Sequence, residues 1–163
     1  MKKKLFLYTI LFIFLFIVTG CDLENKVYKN NGLKITIPKD LKEAEFEGMT
    51  FYLEKDEMYI TGSFASYEDL MKLDVTKDSK IEVYINNVVN NNNLDLDIKK
   101  NKTNNKEIFY YGTYDDSEND YYNLISFFKN DKGIWIITLA CPKEFKYDLK
   151  DKFLDYIKTV EFY

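Results

Sequence analysis

The stretch GIWIITLAC, Gly133 to Cys141, decides the fold, because it is apolar on both faces when it forms a strand. Successive side chains of a strand point to opposite sides of the sheet. The two sets are Trp135, Ile137 and Leu139 on one side and Ile134, Ile136 and Ala140 on the other. A strand of this kind needs cover on both sides. The stretch therefore predicts a layered domain with this strand near its centre.

Six further segments have the alternation and the β-branched or aromatic composition of strands. Three lie in the first half of the chain: LKITIP at 33–38, MTFYLE at 49–54 and EMYITGSFA at 57–65. Three lead up to the central strand: DLDIKK at 95–100, KEIFYYGTYD at 106–115 and DYYNLISFFKN at 120–130. Short polar turns separate the last four strands, which predicts an antiparallel meander. Lys55 and Asp56 predict a hairpin turn between the second and third strands.

Two helices are predicted between these groups of strands, and a third after them. Ser66 and Asp69 have the spacing of a capping box, in which each side chain bonds the other residue's backbone amide. Ser79 and Glu82 repeat that spacing. The predicted apolar stripes are Leu70, Met71 and Leu73; Ile81, Tyr84, Ile85, Val88 and Val89; and Phe145, Leu149, Phe153, Tyr156 and Ile157. The third helix is expected near Phe145 to Lys158, and TVEFY then closes the chain as a strand or tail.

The element order β-β-β-α-α-β-β-β-β-α-β resembles that of the PsbP-like fold. The resemblance depends on YKNNGLKITIP at 28–38, the helical pair, the meander and FLDYIKTVEF at 153–162. This fold is shared by an extrinsic protein of photosystem II, a nuclear Ran-binding protein and DcrB-like bacterial lipoproteins. The resemblance implies an α+β domain, built as a three-layer α/β/α sandwich around one mainly antiparallel sheet. The resemblance implies no catalytic group. Members of this fold group bind proteins or lie in cell envelopes.

The first 20 residues have the composition of a secretory signal peptide. A positive patch, Lys2 to Lys4, precedes an apolar run of 14 residues from Leu5 to Val18. As a helix this run would span about 21 Å, whereas a bilayer core is about 30 Å thick. Positive residues, a short apolar run and small residues after it are typical of a cleaved signal.

The tetrapeptide VTGC at 18–21 resembles the bacterial lipobox. The resemblance implies cleavage between Gly20 and Cys21 and lipidation of Cys21 by fatty-acyl chains such as palmitate. Two or three acyl chains anchor a protein stably, whereas one gives only marginal binding. The predicted organisation is a signal peptide at 1–20, a lipid-anchored tether at 21–31 and one PsbP-like domain at 32–163. An uncleaved membrane anchor, with Cys21 as an incidental thiol, is the alternative.

Composition excludes several partners and reactions. Without Lys2 to Lys4, 20 lysines face 27 acidic residues, and the net charge of −7 argues against nucleic acid as a partner. The chain has no histidine, which excludes Ser-His-Asp and Cys-His catalysis and imidazole metal sites. If Cys21 is lipidated, Cys141 has no partner for a disulfide, and it is expected to be a buried, inert thiol. No cofactor is expected.

One cluster of side chains is a candidate ligand site. The segment YDDSENDYY contains Asp115, Asp116, Glu118 and Asp120. Paired carboxylates serve sugar hydrolysis, and hard oxygen ligands bind calcium. The segment lacks the glycine and the glutamate of an EF-hand-like loop, so we expect no metal site and a solvated hairpin turn. The paired tyrosines nearby, at 110–111 and 121–122, must face opposite sides of their strands, and tyrosine is common in binding surfaces.

Two functions are compatible with the sequence. The favoured one is a non-catalytic interaction or structural module, anchored by lipid to the extracytoplasmic face of the cell membrane, with an envelope protein as its partner. The alternative is a domain that binds a small ligand, or binds or processes a glycan, with the acidic loop at 115–120 and the nearby tyrosines. A deep pocket with converging acids would favour the alternative.

Overall fold

The computed structural model describes residues 24–56, 58–91, 97–103, 106–114 and 120–163. The strands are β1 Asn25–Asn30, β2 Leu33–Pro38, β3 Lys42–Ala44, β4 Phe51–Lys55, β5 Met58–Ser66, β6 Lys99–Thr103, β7 Lys106–Tyr114, β8 Tyr121–Lys129, β9 Gly133–Pro142 and β10 Glu161–Phe162. The helices are α1 Tyr67–Leu70, α2 Ile81–Asn91 and α3 Lys146–Lys158. One 3₁₀ turn, Met71–Leu73, follows α1, and another, Lys143–Phe145, precedes α3.

The strands form two antiparallel sheets. The larger has the order β3-β4-β5-β9-β8-β7-β6, and the smaller has the order β1-β2-β10. β9, which contains GIWIITLAC, is the middle strand of the seven and pairs with β5 and β8 along most of its length. The predicted central strand, meander and mixed α+β class are confirmed. The prediction of one sheet is corrected to two, because β2 pairs with β1 and β10 instead of joining the larger sheet.

The larger sheet is covered on both faces, which gives the predicted three layers. One face packs against α3 and the small sheet, through Trp135, Ile137 and Leu139 of β9. The other face packs against α1, the following 3₁₀ turn and α2, where Ile134 and Ile136 of β9 lie. Apolar residues on both faces of β9 are therefore the reason for a layer on each side. Among the described residues, no helix is both long enough and apolar enough to cross a bilayer.

The folded domain begins before the predicted boundary at Gly32. Asn25–Asn30, which the sequence places in a tether, forms β1 and pairs residue by residue with β2, from Asn25 opposite Pro38 to Asn30 opposite Leu33. The Tyr28 ring lies 5.3 Å from that of Phe51, so β1 contributes to the core. Any tether between Cys21 and the domain is thus much shorter than 21–31.

Local predictions met different outcomes. The Ser66–Asp69 capping box is present, with Asp69 N–H donating to Ser66 Oγ at 3.2 Å and Ser66 N–H to Asp69 Oδ2 at 3.3 Å. The Ser79–Glu82 box is wrong, because α2 starts at Ile81 and Ser79 Oγ instead accepts the backbone N–H of Thr76 at 2.9 Å. The predicted strand at 95–100 agrees only at its end, since β6 spans Lys99–Thr103 and excludes Asp97 and Ile98, while residues 95–96 lie outside the described residues.

Candidate functional site

Most of the sequence-predicted site residues lie outside the described part of the chain. These are Gly20, Cys21, Asp115, Asp116 and Glu118. Their predicted roles stay predictions.

Asp120 is the one member of the acidic cluster that the structure describes, and it is bonded to Lys143, the residue that follows β9. Its Oδ2 lies 2.8 Å from Lys143 Nζ, and its carbonyl accepts the Lys143 N–H at 3.0 Å. Across the described ranges, no group of three or more acidic or cysteine side chains could hold a metal ion. Asp120 therefore ties the start of β8 to the end of β9.

The paired tyrosines face opposite sides, as predicted. Tyr111 stacks on Phe127 at 6.1 Å on the α2 side, whereas Tyr122 is buried on the α3 side. Tyr121 instead joins a row of aromatic rings on the face that carries α2. The row runs Phe46, Tyr52, Tyr59 and Tyr121, with successive centroids 5.3, 5.9 and 5.5 Å apart. Phe46 at one end is 57% exposed, so part of this row is accessible to a partner.

A cleft of about 450 Å³ opens at one end of the molecule. The lining residues are Pro38, Asp40, Lys55, Asp56, Met58, Cys141, Pro142, Phe145, Leu149 and Tyr156. They come from the ends of β2 and β9, the β4–β5 turn, the start of β5 and the inner side of α3. Six of the ten are apolar, and the volume is typical of pockets that hold small molecules or apolar groups.

The wall of the cleft is chemically inert. Burial raises the pKa of the Cys141 thiol from 9.0 to about 11, so the thiol stays protonated at neutral pH. A protonated thiol is a poor nucleophile. Burial likewise raises the pKa of the Tyr156 hydroxyl, with the Asp40 and Asp155 carboxylates adding to the shift. Both groups are therefore protonated at neutral pH, and the predicted burial of Cys141 is confirmed.

Two of the three charged residues of the cleft, Lys55 and Asp40, pair with each other at its edge. Lys55 Nζ bonds Asp40 Oδ2, and this hydrogen bond lowers the pKa of the Asp40 carboxyl and raises that of Lys55. Both groups are exposed to water, so the pair contributes little to stability. The cleft therefore has an apolar wall and a charged edge, to which Asp56 adds a second carboxylate.

The described chain begins beside this cleft. Lys39 N–H donates to Glu24 O at 2.7 Å, and Lys39 Nζ lies 2.6 Å from Glu24 Oε2. Lys39 stands between Pro38 and Asp40, which both line the cleft. Glu24, the first described residue, therefore lies at the end of the domain where the cleft opens.

Comparison with known proteins identifies the fold. No protein-family model matches the chain, and no curated protein does. The solution structure of cyanobacterial PsbP (CyanoP) from Synechocystis sp. PCC 6803 matches with a TM-score of 0.59 and 11% identity, over 90% of this chain and 96% of that chain. The crystal structure of the Saccharomyces cerevisiae Ran-binding protein Mog1p matches with a TM-score of 0.53 and 8% identity, over 86% of this chain and 96% of that chain.

The chain has a PsbP-like fold. The fold resemblance inferred from the sequence is confirmed, and at these identities the likeness concerns the fold alone. What the sequence missed is the cleft, because its residues come from five separate segments and carry no motif.

Proposed function

We propose that the protein is a lipid-anchored, non-catalytic interaction module on the extracytoplasmic face of a bacterial cell membrane. The observation that carries this proposal is the position of β1. The first strand of the domain, β1, begins at Asn25, only four residues after the lipobox cysteine. At about 3.5 Å per residue, the three residues from Cys21 to Glu24 span at most about 10 Å. A lipid on Cys21 would hold the domain against the membrane surface.

The chemistry of the described residues supports a binding role over a catalytic one. The chain lacks histidine, and the Cys141 thiol is protonated at neutral pH. In the parts of the chain that the structure covers, no cluster of three or more acidic or cysteine side chains could hold a metal ion. Mog1p, a structural neighbour, is described as a Ran-binding protein, so the fold serves protein binding in that case. We expect this domain to dock an envelope protein.

Lipidation is tested by metabolic labelling with a fatty-acid analogue. The wild-type protein should carry the label and partition with membranes. The variant Cys21→Ser should lose the label, whereas Cys141→Ser should keep it, because Cys141 is buried and unmodified. A wild-type protein without label, or a Cys21→Ser variant that retains it, would refute the anchor.

Partner docking is tested with a photoreactive amino acid at Phe46, at the exposed end of the aromatic row. Irradiation of intact membranes should give a discrete crosslinked product of reproducible mass. The matched control places the same group at Met71, which is 60% exposed at the opposite end of β5. Background labelling from both positions would count against docking through this face.

The aromatic row also supports the second candidate, a glycan-binding surface. Tyr121 lies one residue after Asp120 and joins Tyr59 and Tyr52 in the row, which places aromatic rings close to the last residue of the acidic loop. Envelope oligosaccharides should then raise the melting temperature of the wild-type protein. The shift should be lost in Tyr52→Ala and reduced in Asp116→Ala. If no oligosaccharide moves the melting temperature, this candidate is excluded.

A further inference from the structure

We propose that the cleft holds one acyl chain of the lipid carried by Cys21. This inference rests on the proposed anchor and deepens it, because it assigns an occupant to the cleft and an orientation to the domain.

The first argument is the path of the chain. Glu24 is hydrogen-bonded to Lys39, the residue between two members of the cleft wall, Pro38 and Asp40. Cys21 precedes Glu24 by three residues, so the α-carbons of the two residues lie within about 10 Å of each other even when the chain is fully extended. An acyl chain on Cys21 therefore starts close to the opening of the cleft.

The second argument is the chemistry of the wall. An acyl chain has no hydrogen-bonding groups along its length, and a suitable site needs an apolar wall without unpaired charges. The apolar members are Pro38, Met58, Cys141, Pro142, Phe145 and Leu149. The Cys141 thiol is uncharged at neutral pH. The charged residues lie at the edge, where Lys55 pairs with Asp40 and the Asp56 side chain is exposed to water. A polar ligand would find few partners on this wall.

The third argument is proximity. Removing a methylene group from water is about equally favourable in a protein cleft and in a bilayer, so local concentration decides which apolar group enters. A short linker gives an intramolecular group an effective concentration of about millimolar. A lipobox cysteine carries two or three chains, and one chain in the cleft leaves the others to anchor the protein. The cleft end would then face the membrane.

The test uses a photoreactive, alkyne-bearing palmitate analogue supplied to growing cells. After irradiation of intact membranes, the lipidated N-terminal peptide should be crosslinked to peptides of α3 and β5 from the same molecule. Leu149→Trp, which fills the cleft, should lower this crosslink at least fivefold while leaving total lipid label unchanged. The matched control Met71→Trp, at the opposite end of the molecule, should leave it unchanged.

A second variant, Phe145→Asp, keeps the test decisive if Leu149→Trp fails to fold. Phe145 is 45% exposed at the edge of the cleft, so Phe145→Asp should fold normally and still reduce the crosslink by placing a carboxylate on the wall. Melting temperatures of both variants are measured alongside. Crosslinks that are unchanged in both variants would overturn the proposal.

Two further outcomes separate the possible explanations. A labelled protein whose crosslinks go only to phospholipid would overturn the acyl-chain site and leave the anchor intact, whereas an unlabelled wild-type protein would overturn both. In the last arm, purified Cys21→Ser protein is irradiated with vesicles that contain a photoreactive phosphatidylcholine. If the cleft peptides of this variant crosslink to the phosphatidylcholine in the same yield as the intramolecular product of the wild-type protein, the cleft takes bilayer lipid instead of the chain on Cys21.

Discussion

The thiol of Cys141 lies near the end of the middle strand of the larger sheet, where β5 and β8 flank β9 on either side. Its side chain is fully buried, and it sits opposite Tyr122 of β8. This environment disfavours the thiolate and gives the cysteine the role of a small apolar residue. A lipid on Cys21 would leave Cys141 as the single free cysteine, protected by burial instead of by a disulfide.

Cys141 should react slowly with thiol reagents in the folded protein. A pKa of about 11 instead of 9.0 lowers the thiolate fraction at pH 8 about a hundredfold, and burial also restricts access. The rate of maleimide addition should therefore be at least a hundredfold lower in native Cys21→Ser protein than in the same protein in denaturant. Similar rates in the two states would show that the site opens readily.

β1 shows at the element scale why a strand can escape detection from sequence. Its one aliphatic residue, Val27, points to solvent and is 56% exposed. The half-buried side belongs to Lys26, Tyr28 and Asn30, where Lys26 Nζ donates to a backbone carbonyl and Tyr28 Oη donates to Glu43 at 2.6 Å. The inward residues are polar, so the segment has the composition of a tether.

Removing β1 should destabilise the domain. A chain that starts at Gly32 loses the six pairings with β2 and the partly buried ring of Tyr28, which is worth less than the roughly 1.5–3 kcal/mol of a fully buried apolar side chain. Urea denaturation should show a lower free energy of unfolding for residues 32–163 than for 24–163. The control compares the protein of residues 24–163 with the Cys21→Ser chain of residues 21–163, and these two should be equally stable. If the proteins of residues 32–163 and 24–163 were equally stable, β1 would be dispensable.

α3 depends on the residues of its inner side. Phe153 is fully buried between the two sheets, whereas Tyr147, on the same helix, is 86% exposed. Phe153→Ala should lower the free energy of unfolding by about 3–5 kcal/mol, because it removes apolar contacts and leaves a cavity. Tyr147→Ala should change it by less than about 0.5 kcal/mol. Chemical denaturation measures both, and a similar loss in each would contradict the assigned inner side.

The difference between the two predicted capping boxes shows where local patterns stop being informative. Ser66 and Asp69 form the box because α1 begins directly after Ser66. Ser79 has the same spacing to Glu82, but its hydroxyl closes the preceding turn on Thr76, and the helix starts later. The periodicity of apolar residues predicts the helices and the central strand. It does not predict which strands pair, so the sequence does not show that β2 pairs with β1 and β10 instead of joining the larger sheet.

At the scale of the whole molecule, the cleft and the exit of the chain lie at the same end. Neither could be predicted from the sequence. The β2–β1 register brings Pro38 beside Asn25, and the antiparallel order of β5, β9 and β8 brings Met58 and Pro142 to the same edge. Tertiary pairing thus places an apolar cleft near Glu24, the first described residue, although the lining residues are up to 118 positions apart, from Pro38 to Tyr156.

The fold as a whole should lose stability at alkaline pH. Burial raises the pKa of Cys141 from 9.0 to about 11 and that of Tyr122 from 10.0 to about 12. Both groups bind their protons more tightly when folded, so their contribution is complete below pH 9 and is lost as the pH rises through 11 and 12. For the buried thiol this loss is on the order of 2 kcal/mol.

Urea denaturation at pH 7, 9, 10 and 11 measures this loss. The free energy of unfolding should stay nearly constant to pH 9 and fall above it. Cys141→Ala removes one of the titrating groups, so its stability should be lower at pH 7 but should fall less steeply between pH 9 and 11. Tyr122→Phe should likewise flatten the curve, mainly above pH 10. Curves for Cys141→Ala and the wild-type protein that run parallel up to pH 11 would show that the thiol is not responsible, and would argue that the end of β9 is hydrated instead of buried against the cleft.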